Sequence, residues 1–284
     1  MTIDPNDILT RFITFYSFKG GVGRSMALIN TAAILAARGF RVLVIDFDLE
    51  APGLSYLASL SGQEQGAPII DEIPLGLIDL LADAKERGLA ADLFARPMQE
   101  VADIYTRPYP LAQVVEGGSL HIMPAGKLDQ GYTQRFDALN LRELYAEGVG
   151  EPLLRIFKEK FVESRLYDYV LVDSRTGFSD EAGICTRDLA DYLMIVSGLN
   201  KQNIEGTAEF LKALRLASEG KAQFQMILSP VPSWQEELLA EREQIAQQHF
   251  NKAWDGEIEL SLQIPYHPRL ALSEEPQVFT TLTY

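Results

Sequence analysis

Apolar residues fall in short unbroken runs along this chain, and stretches with helical periodicity separate the runs. Arg41-Val-Leu-Val-Ile-Asp46 has no polar residue between its ends, the pattern of a parallel strand buried on both faces. Phe12–Tyr16, Leu120–Met123, Tyr169–Asp173, Leu193–Ser197 and Phe224–Leu228 read as further strands, and Ile258–Ile264 adds another. A helix begins at about Ser25 and ends near Arg38-Gly39, where Gly39 takes the left-handed position after the last turn. Others cover Leu153–Arg165, Ile204–Leu216 with its end near Gly220, and about Trp234 to Phe250, where Ser233 and Glu236 have capping-box spacing. The alternation predicts an α/β fold, with one doubly wound, mostly parallel sheet of about seven strands and helices on both faces. Residues 1–284 read as a single domain.

The stretch from about 59 to 150 is the least readable. It has a helical pattern at Leu77–Leu81, loops rich in Pro, Gly and Tyr, and turn signals at Pro108–Pro110 and Gly117-Gly118. It reads as a plain insertion, with a partner surface as the alternative.

Composition narrows the class. The 284 residues are 47% hydrophobic and 23% charged, ordinary for a globular protein with a good-sized core. Forty acidic against 25 basic residues give a net charge of −15, which repels nucleic-acid phosphate and anionic lipid, so strong binding to either is not expected. The single cysteine, Cys185, excludes an internal disulfide framework and reads as a buried structural thiol. No signal-peptide layout and no apolar stretch near the ~20 residues of a membrane span are present, so a cytoplasmic location is expected. The three histidines have no paired ligand spacing, and no G-x-S-x-G elbow occurs.

The chemistry gathers around Tyr16-Ser-Phe-Lys-Gly-Gly-Val-Gly-Arg-Ser-Met26. Gly20, Gly21 and Gly23 lie between a strand and a helix, flanked by Lys19 and Arg24 and followed by the Ser25 hydroxyl. Such a loop curls its N–H groups inward around phosphate, a cation meets the β/γ-phosphates, and a hydroxyl ligates Mg²⁺. The alternative is a glycine-rich turn with no ligand. Two acidic clusters end strands elsewhere: Asp46-Phe-Asp48-Leu-Glu50-Ala-Pro-Gly53 and Asp173-Ser-Arg175-Thr-Gly177. An apolar strand ending in Asp, with glycine a few residues on, supplies a carboxylate for a Mg²⁺ shell and a loop able to sense a γ-phosphate. Taken singly, each Asp is equally a strand-end turn or helix cap.

The ordinary phosphate-loop pattern G-x-x-x-x-G-K-[ST] fails at Phe18 and at Arg24. A lysine directly before the glycine pair instead resembles the deviant loop of the ParA/MinD family of P-loop ATPases, in a subgroup reading KGGVGRS where most members read KGGVGKT or KGGVGKS. The resemblance is strong at residues 12–58 and 167–180 and loose at 119–126 and 190–270, where His121–Gly126 looks like the family's third strand and exit turn. It implies ATP and Mg²⁺ as ligands, an ATP-dependent homodimer, and a protein partner engaged by the ATP-bound form. Lys19, Gly20, Gly21, Val22, Gly23, Arg24, Ser25 and Met26 would hold the nucleotide. Ser25 would ligate the metal directly, Asp173 would support it through water, and Asp46 would steady the metal shell or the loop. Asp48 would orient the attacking water, and Lys19 would reach the partner protomer's phosphates.

Arg24 stands where the family has the in-site lysine, and its wide planar fork implies retained ATP binding with slow hydrolysis. Arg175 either meets γ-phosphate charge or pairs with Asp46, Asp48 or Asp173 as a resting latch. The family has prolines in this region. By the same resemblance Ser229 falls where an asparagine often reads adenine, and Pro265 and His267 fall on the loop that covers the purine. ATP over GTP is implied by the family, not by base-reading residues. Two other readings stay open: a pseudo-enzyme holding ATP as a structural or sensing ligand, and a cargo-positioning ATPase. The related bacterial tyrosine kinases end in a tyrosine cluster, whereas the tail here has only Tyr284.

Overall fold

In the computed structural model, the described residues are 9–54, 75–86, 96–109, 111 and 115–268. Residues 55–74, 87–95, 110 and 112–114 and the tail beyond 268, including Pro110, Arg269, Leu270 and Tyr284, lie outside them. The strands are β1 (Arg11–Tyr16), β2 (Arg41–Asp46), β3 (Arg107–Pro108), β4 (Ser119–Met123), β5 (Tyr169–Asp173), β6 (Tyr192–Ser197), β7 (Phe224–Val231) and β8 (Leu262–Pro265). They form one sheet in the order β3-β4-β2-β5-β1-β6-β7-β8. Every pairing is parallel except the short β3–β4 edge. The expected α/β sheet is thus present, with eight strands. The addition is the two-residue β3, whose arginine and proline carry no strand signal.

Both sheet faces are apolar because both are covered. Phe15, Val42, Val44, Leu171 and Val196 pack against Leu28, Ile29, Ala32 and Ala36 of α1 (Arg24–Ala37). On the opposite face Phe12, Leu43, Ile45, Val170 and Val172 meet α2 (Leu77–Glu86), α3 (Met98–Tyr105), α5 (Leu141–Ala146) and α6 (Gly150–Ser164). A small helix, α4 (Tyr132–Leu139), borders this layer. After β5 come one turn, α7 (Asp180–Gly183), and a π-helical turn at Ile184–Leu189. The Thr14 hydroxyl of β1 donates to the buried Cys185 carbonyl at 2.8 Å, tying that turn to the central strand. Tyr16, Ile195, Met226 and Leu228 meet α8 (Lys201–Ala217) and α9 (Glu236–Trp254) on the same face.

Several boundaries differ from expectation: α8 starts at Lys201 rather than Ile204, and α9 ends at Trp254 rather than Phe250. The helix expected from Leu153 starts at Gly150. The strand expected from Ile258 starts at Leu262, because Ile258 turns into the core and its N–H donates to the Asn251 side chain. β7 runs three residues past Leu228. The capping box at Ser233 does not form: α9 starts at Glu236 behind Gln235, which adopts φ 82° and gives no side-chain cap. Trp234, expected inside the helix, instead packs edge-on against Tyr266.

One packing constraint links α8 to the loop after β1. A methyl group on Gly206 would overlap the Phe18 ring. Gly206→Ala is therefore expected to cost about 1–3 kcal/mol through overpacking, read as a lower denaturation midpoint. The double variant Gly206→Ala/Phe18→Leu is expected to recover part of that loss. Equal stability of Gly206→Ala and wild type would contradict the packing.

Candidate nucleotide-binding site

Carboxyl ends of parallel strands are where open α/β sheets hold ligands, and the chemistry gathers there. Leaving β1, the chain turns through Gly21 and Gly23, both at φ 78°, in the left-handed region that suits glycine. A Cβ at Gly20 or Gly21 would meet no atom within 4 Å, so the space beside both glycines is open. Gly23 caps α1 with no side chain to satisfy the first-turn N–H groups, which leaves them to a ligand. Val22 anchors the loop in the core, and its side chain lies 3.4 Å from where a Cβ of Gly198 would be. Met26 also turns its side chain to the apolar cluster, so only its backbone faces the loop.

Arg24 is the centre of the site. It is 7% exposed, and its Nε donates to Asp173 Oδ1 at 2.5 Å while Nη2 donates to Asp48 Oδ2 at 3.2 Å. Its remaining terminal nitrogen, Nη1, is buried with no hydrogen-bond partner. An orphaned donor on a buried cation calls for an anion. Burial alone would lower the guanidinium pKa, but Asp173 and then Asp48 override this and raise it. The other oxygen of Asp173 accepts the Ser25 hydroxyl at 2.6 Å.

Asp46 and Asp173 are register neighbours on β2 and β5. Asp46 is fully buried, and desolvation together with Asp173 pushes its carboxyl well above the usual range. It accepts the N–H groups of Leu54 and Asp48, at 3.1 and 3.2 Å, and so shapes the turn after β2. Asp48 is raised too, by burial, with Arg24 opposing. Ser25 and Asp173 are the hard oxygen donors that fit Mg²⁺. Asp46 is committed to backbone amides and fits the alternative of steadying the loop rather than the metal. Among the described residues no group of three His, Cys, Asp or Glu is placed to hold a metal ion by itself. Mg²⁺ commonly takes only one or two protein groups beside phosphates and waters, so this pair suffices.

The other predicted residues lie around this centre. Lys19 points out of the loop and donates to Gln202 of α8 at 2.7 Å. Arg175 pairs through both terminal nitrogens with Glu50, an acid not among the partners expected for it. That pair joins the loops after β2 and β5. Ser229 is buried, with its hydroxyl 3.4 Å from where a Cβ of Gly23 would lie. Pro265 pairs with Val231 at the same end of the sheet, and the next residue but one, His267, has a buried Nδ1 with no partner. Tyr132 of α4 carried no sequence signal, yet its hydroxyl donates to the Leu49 carbonyl at 2.8 Å and holds the turn after β2.

A family profile described as the CobQ/CobB/MinD/ParA nucleotide binding domain matches residues 13–275. The chain belongs to that family. An uncharacterised ATP-binding protein of Methanocaldococcus jannaschii is 36% identical over 93 residues, which spans 29% of this chain and 35% of that one. The fold is shared with the septum site-determining protein MinD of Pyrococcus horikoshii, solved with Mg-ADP. That comparison has TM-score 0.60 and 19% identity, and covers 93% of this chain and 84% of MinD. It is shared also with the MinC:MinD complex of Aquifex aeolicus, at TM-score 0.53 and 22% identity, covering 92% of this chain and 83% of that one. No helix among the described residues is long and apolar enough to cross a membrane.

Removing the Arg24 guanidinium would leave Asp46, Asp48 and Asp173 facing one another. Arg24→Met is expected to cost about 3–5 kcal/mol at neutral pH, as breaking a buried pair does. The carboxyl of Asp48, already raised by burial with Arg24 opposing, would rise further. A carboxyl raised by folding keeps its stability below the unfolded value of about 3.9 and loses it as pH rises through the folded value. The deficit is therefore expected to shrink from pH 8 to pH 5 in denaturant titrations. A deficit that grew on acidification would refute this picture.

Proposed function

We propose that the chain binds Mg·ATP on the loop from Lys19 to Met26 and acts as a slow ATP-hydrolysing switch. Its ATP-bound form would dimerise and engage another protein. The unpartnered Nη1 of Arg24, buried at the mouth of an open glycine loop, carries this reading. The relatives lend support: one is described as ATP-binding, one was solved with Mg-ADP, and one in complex with MinC.

Arg24 would hold phosphate oxygens through Nη1, and the first-turn amides of α1 would bind the rest. Mg²⁺, held by Ser25 with Asp173 behind it, would neutralise phosphate charge. Asp48 would orient the attacking water once its oxygen is released from Arg24. Slow turnover follows from that contact, because the same guanidinium that fits phosphate also occupies the carboxylate. Arg175 would move between Glu50 and developing γ-phosphate charge. Lys19, directed outward, would serve a second protomer. Ser229, Pro265 and His267 would border the base. The Arg24–Asp48 bond also favours a second reading, in which ATP is held as a sensing ligand without useful turnover.

Mg·ATP at a hundred times its Kd is expected to add about 2.7 kcal/mol of stability, a rise in Tm of roughly 5 °C or more. No heat and no shift with millimolar Mg·ATP would end the nucleotide reading. Arg24→Lys is expected to raise phosphate release roughly tenfold over wild type by freeing Asp48, with Asp48→Ala as the blank. An unchanged rate with activity above the blank would refute gating by Arg24. Release no faster than the blank in either protein would favour the sensing ligand.

A further inference from the structure

Three successive residues in the turn after β2 are each held from a different part of the chain. Asp48 accepts Nη2 of Arg24, on α1, at 3.2 Å. The Leu49 carbonyl accepts the hydroxyl of Tyr132, on α4, at 2.8 Å. Glu50 takes both terminal nitrogens of Arg175, in the loop after β5. The contacts differ in kind. Two are ion pairs made by guanidiniums, a group that grips phosphate in the same forked way as it grips carboxylate. The third is a neutral phenol on a backbone carbonyl, with no charge for a phosphate to draw away.

The phenol contact is also braced from behind. Leu49 is fully buried in the apolar cluster beneath α2, and the Tyr132 ring packs against that cluster. A Cβ on Gly126, just past the end of β4, would lie 3.3 Å from the ring. Arg135 of α4 stands 3.2 Å from Asp79 of α2, whose other oxygen accepts the Gly76 N–H at 2.9 Å. The N–H groups of Leu77 and Ile78 donate to the Pro124 and Ala125 carbonyls at 2.8 Å, which fastens α2 to the end of β4. Burial, with Asp46, Asp79 and Asp48 nearby, pushes the phenol pKa up, so the hydroxyl keeps its proton and stays a donor at neutral pH.

We propose that Tyr132 is a positioning residue for Asp48: once a triphosphate draws on Arg24 and Arg175, the Tyr132–Leu49 bond keeps the neighbouring carboxylate at the site. This rests on the phosphate-loop reading given above and gives part of the segment about 59–150 a role in it. Without nucleotide the three holds overlap, and the two arginines cover for a missing hydroxyl. With nucleotide bound, Tyr132 is the one of the three that phosphate does not recruit. Asp46 still accepts the Asp48 and Leu54 N–H groups, which shapes the turn from within but does not tie it to the helices over the sheet.

Hydrogen exchange over residues 47–54, followed by mass spectrometry on the full chain with and without saturating Mg·ATP, tests it. Tyr132→Phe removes the hydroxyl and keeps the ring, and its melting temperature checks that it folds. Without nucleotide the variant is expected to exchange within about twofold of wild type, and with Mg·ATP about threefold to tenfold faster. Exchange in α2 and α4 is expected to match wild type in both states. The kcat for phosphate release is expected to fall about threefold to tenfold, with KM within about twofold of wild type. A merely structural hydroxyl would loosen the turn equally in both states, and that result overturns the proposal. Unchanged exchange with Mg·ATP bound, faster exchange extending into α2 and α4, or a raised KM at unchanged kcat overturns it too. Each of these leaves the phosphate loop standing. Failure of the wild-type chain to bind Mg·ATP overturns the phosphate-loop reading and the role of Tyr132 together.

Discussion

Three aspartates gather where β2 and β5 end, and Arg24 is the cation that pairs with two of them. Asp46 and Asp173 end β2 and β5 side by side, with Asp48 two residues further on. Like charges this close in a buried setting raise each other's pKa or recruit a counter-charge, and both responses occur here. Asp46 rises and turns to backbone amides, whereas Asp173 and Asp48 share one guanidinium. Because Arg24 opens α1, this single side chain ties the phosphate loop to both acidic turns.

That arrangement makes the substitution of arginine for lysine consequential. A lysine ammonium is one compact charge with three donors, and it serves one partner cluster at a time. The guanidinium presents a wide fork: two of its nitrogens are used by carboxylates, and the third is left over. The fork therefore bridges acids and still offers a donor to the loop. Its cost is that Asp48, proposed to orient a water, starts in an ion pair. In that proposal binding and turnover would draw on the same guanidinium.

Much of this was legible in the residues. Buried parallel strands leave unbroken apolar runs, and five of the runs read as strands became β1, β2, β4, β5 and β6 within a residue or so of their expected ends. The Lys19–Met26 loop and the Asp46, Asp48 and Asp173 clusters were visible because they lie contiguously at strand ends. What could not be read depends on contacts between distant segments. Tyr132 reaches Leu49 from a short, mostly polar helix in the segment about 59–150, and nothing in its neighbourhood marks the hydroxyl. Trp234 looked like the start of a helix by capping-box spacing, and only its contact with Tyr266, brought close by the β7–β8 pairing, puts it outside. Glu50 carries no sequence signal as the partner of Arg175, because it lies in the turn beyond the strand-end aspartates.

The helix α8 shows how the site reaches beyond itself. Gly206 is bare so that Phe18 of the phosphate loop can lie against the helix, and Asn203 fills the space beside Gly198, against which Val22 also packs. Gln202 holds Lys19, and Phe210 stacks on Tyr16 with centroids 3.8 Å apart. Phe18 also meets the exposed Phe178 in the turn after β5, which in turn approaches Phe210. One face of one helix thus touches the strand before the loop, the loop itself and the turn behind Asp173. A packed interior cannot absorb a shift of the loop by deforming continuously, since its side chains interlock at close to crystal density. The groove that Phe178 and Phe210 line runs beside these contacts.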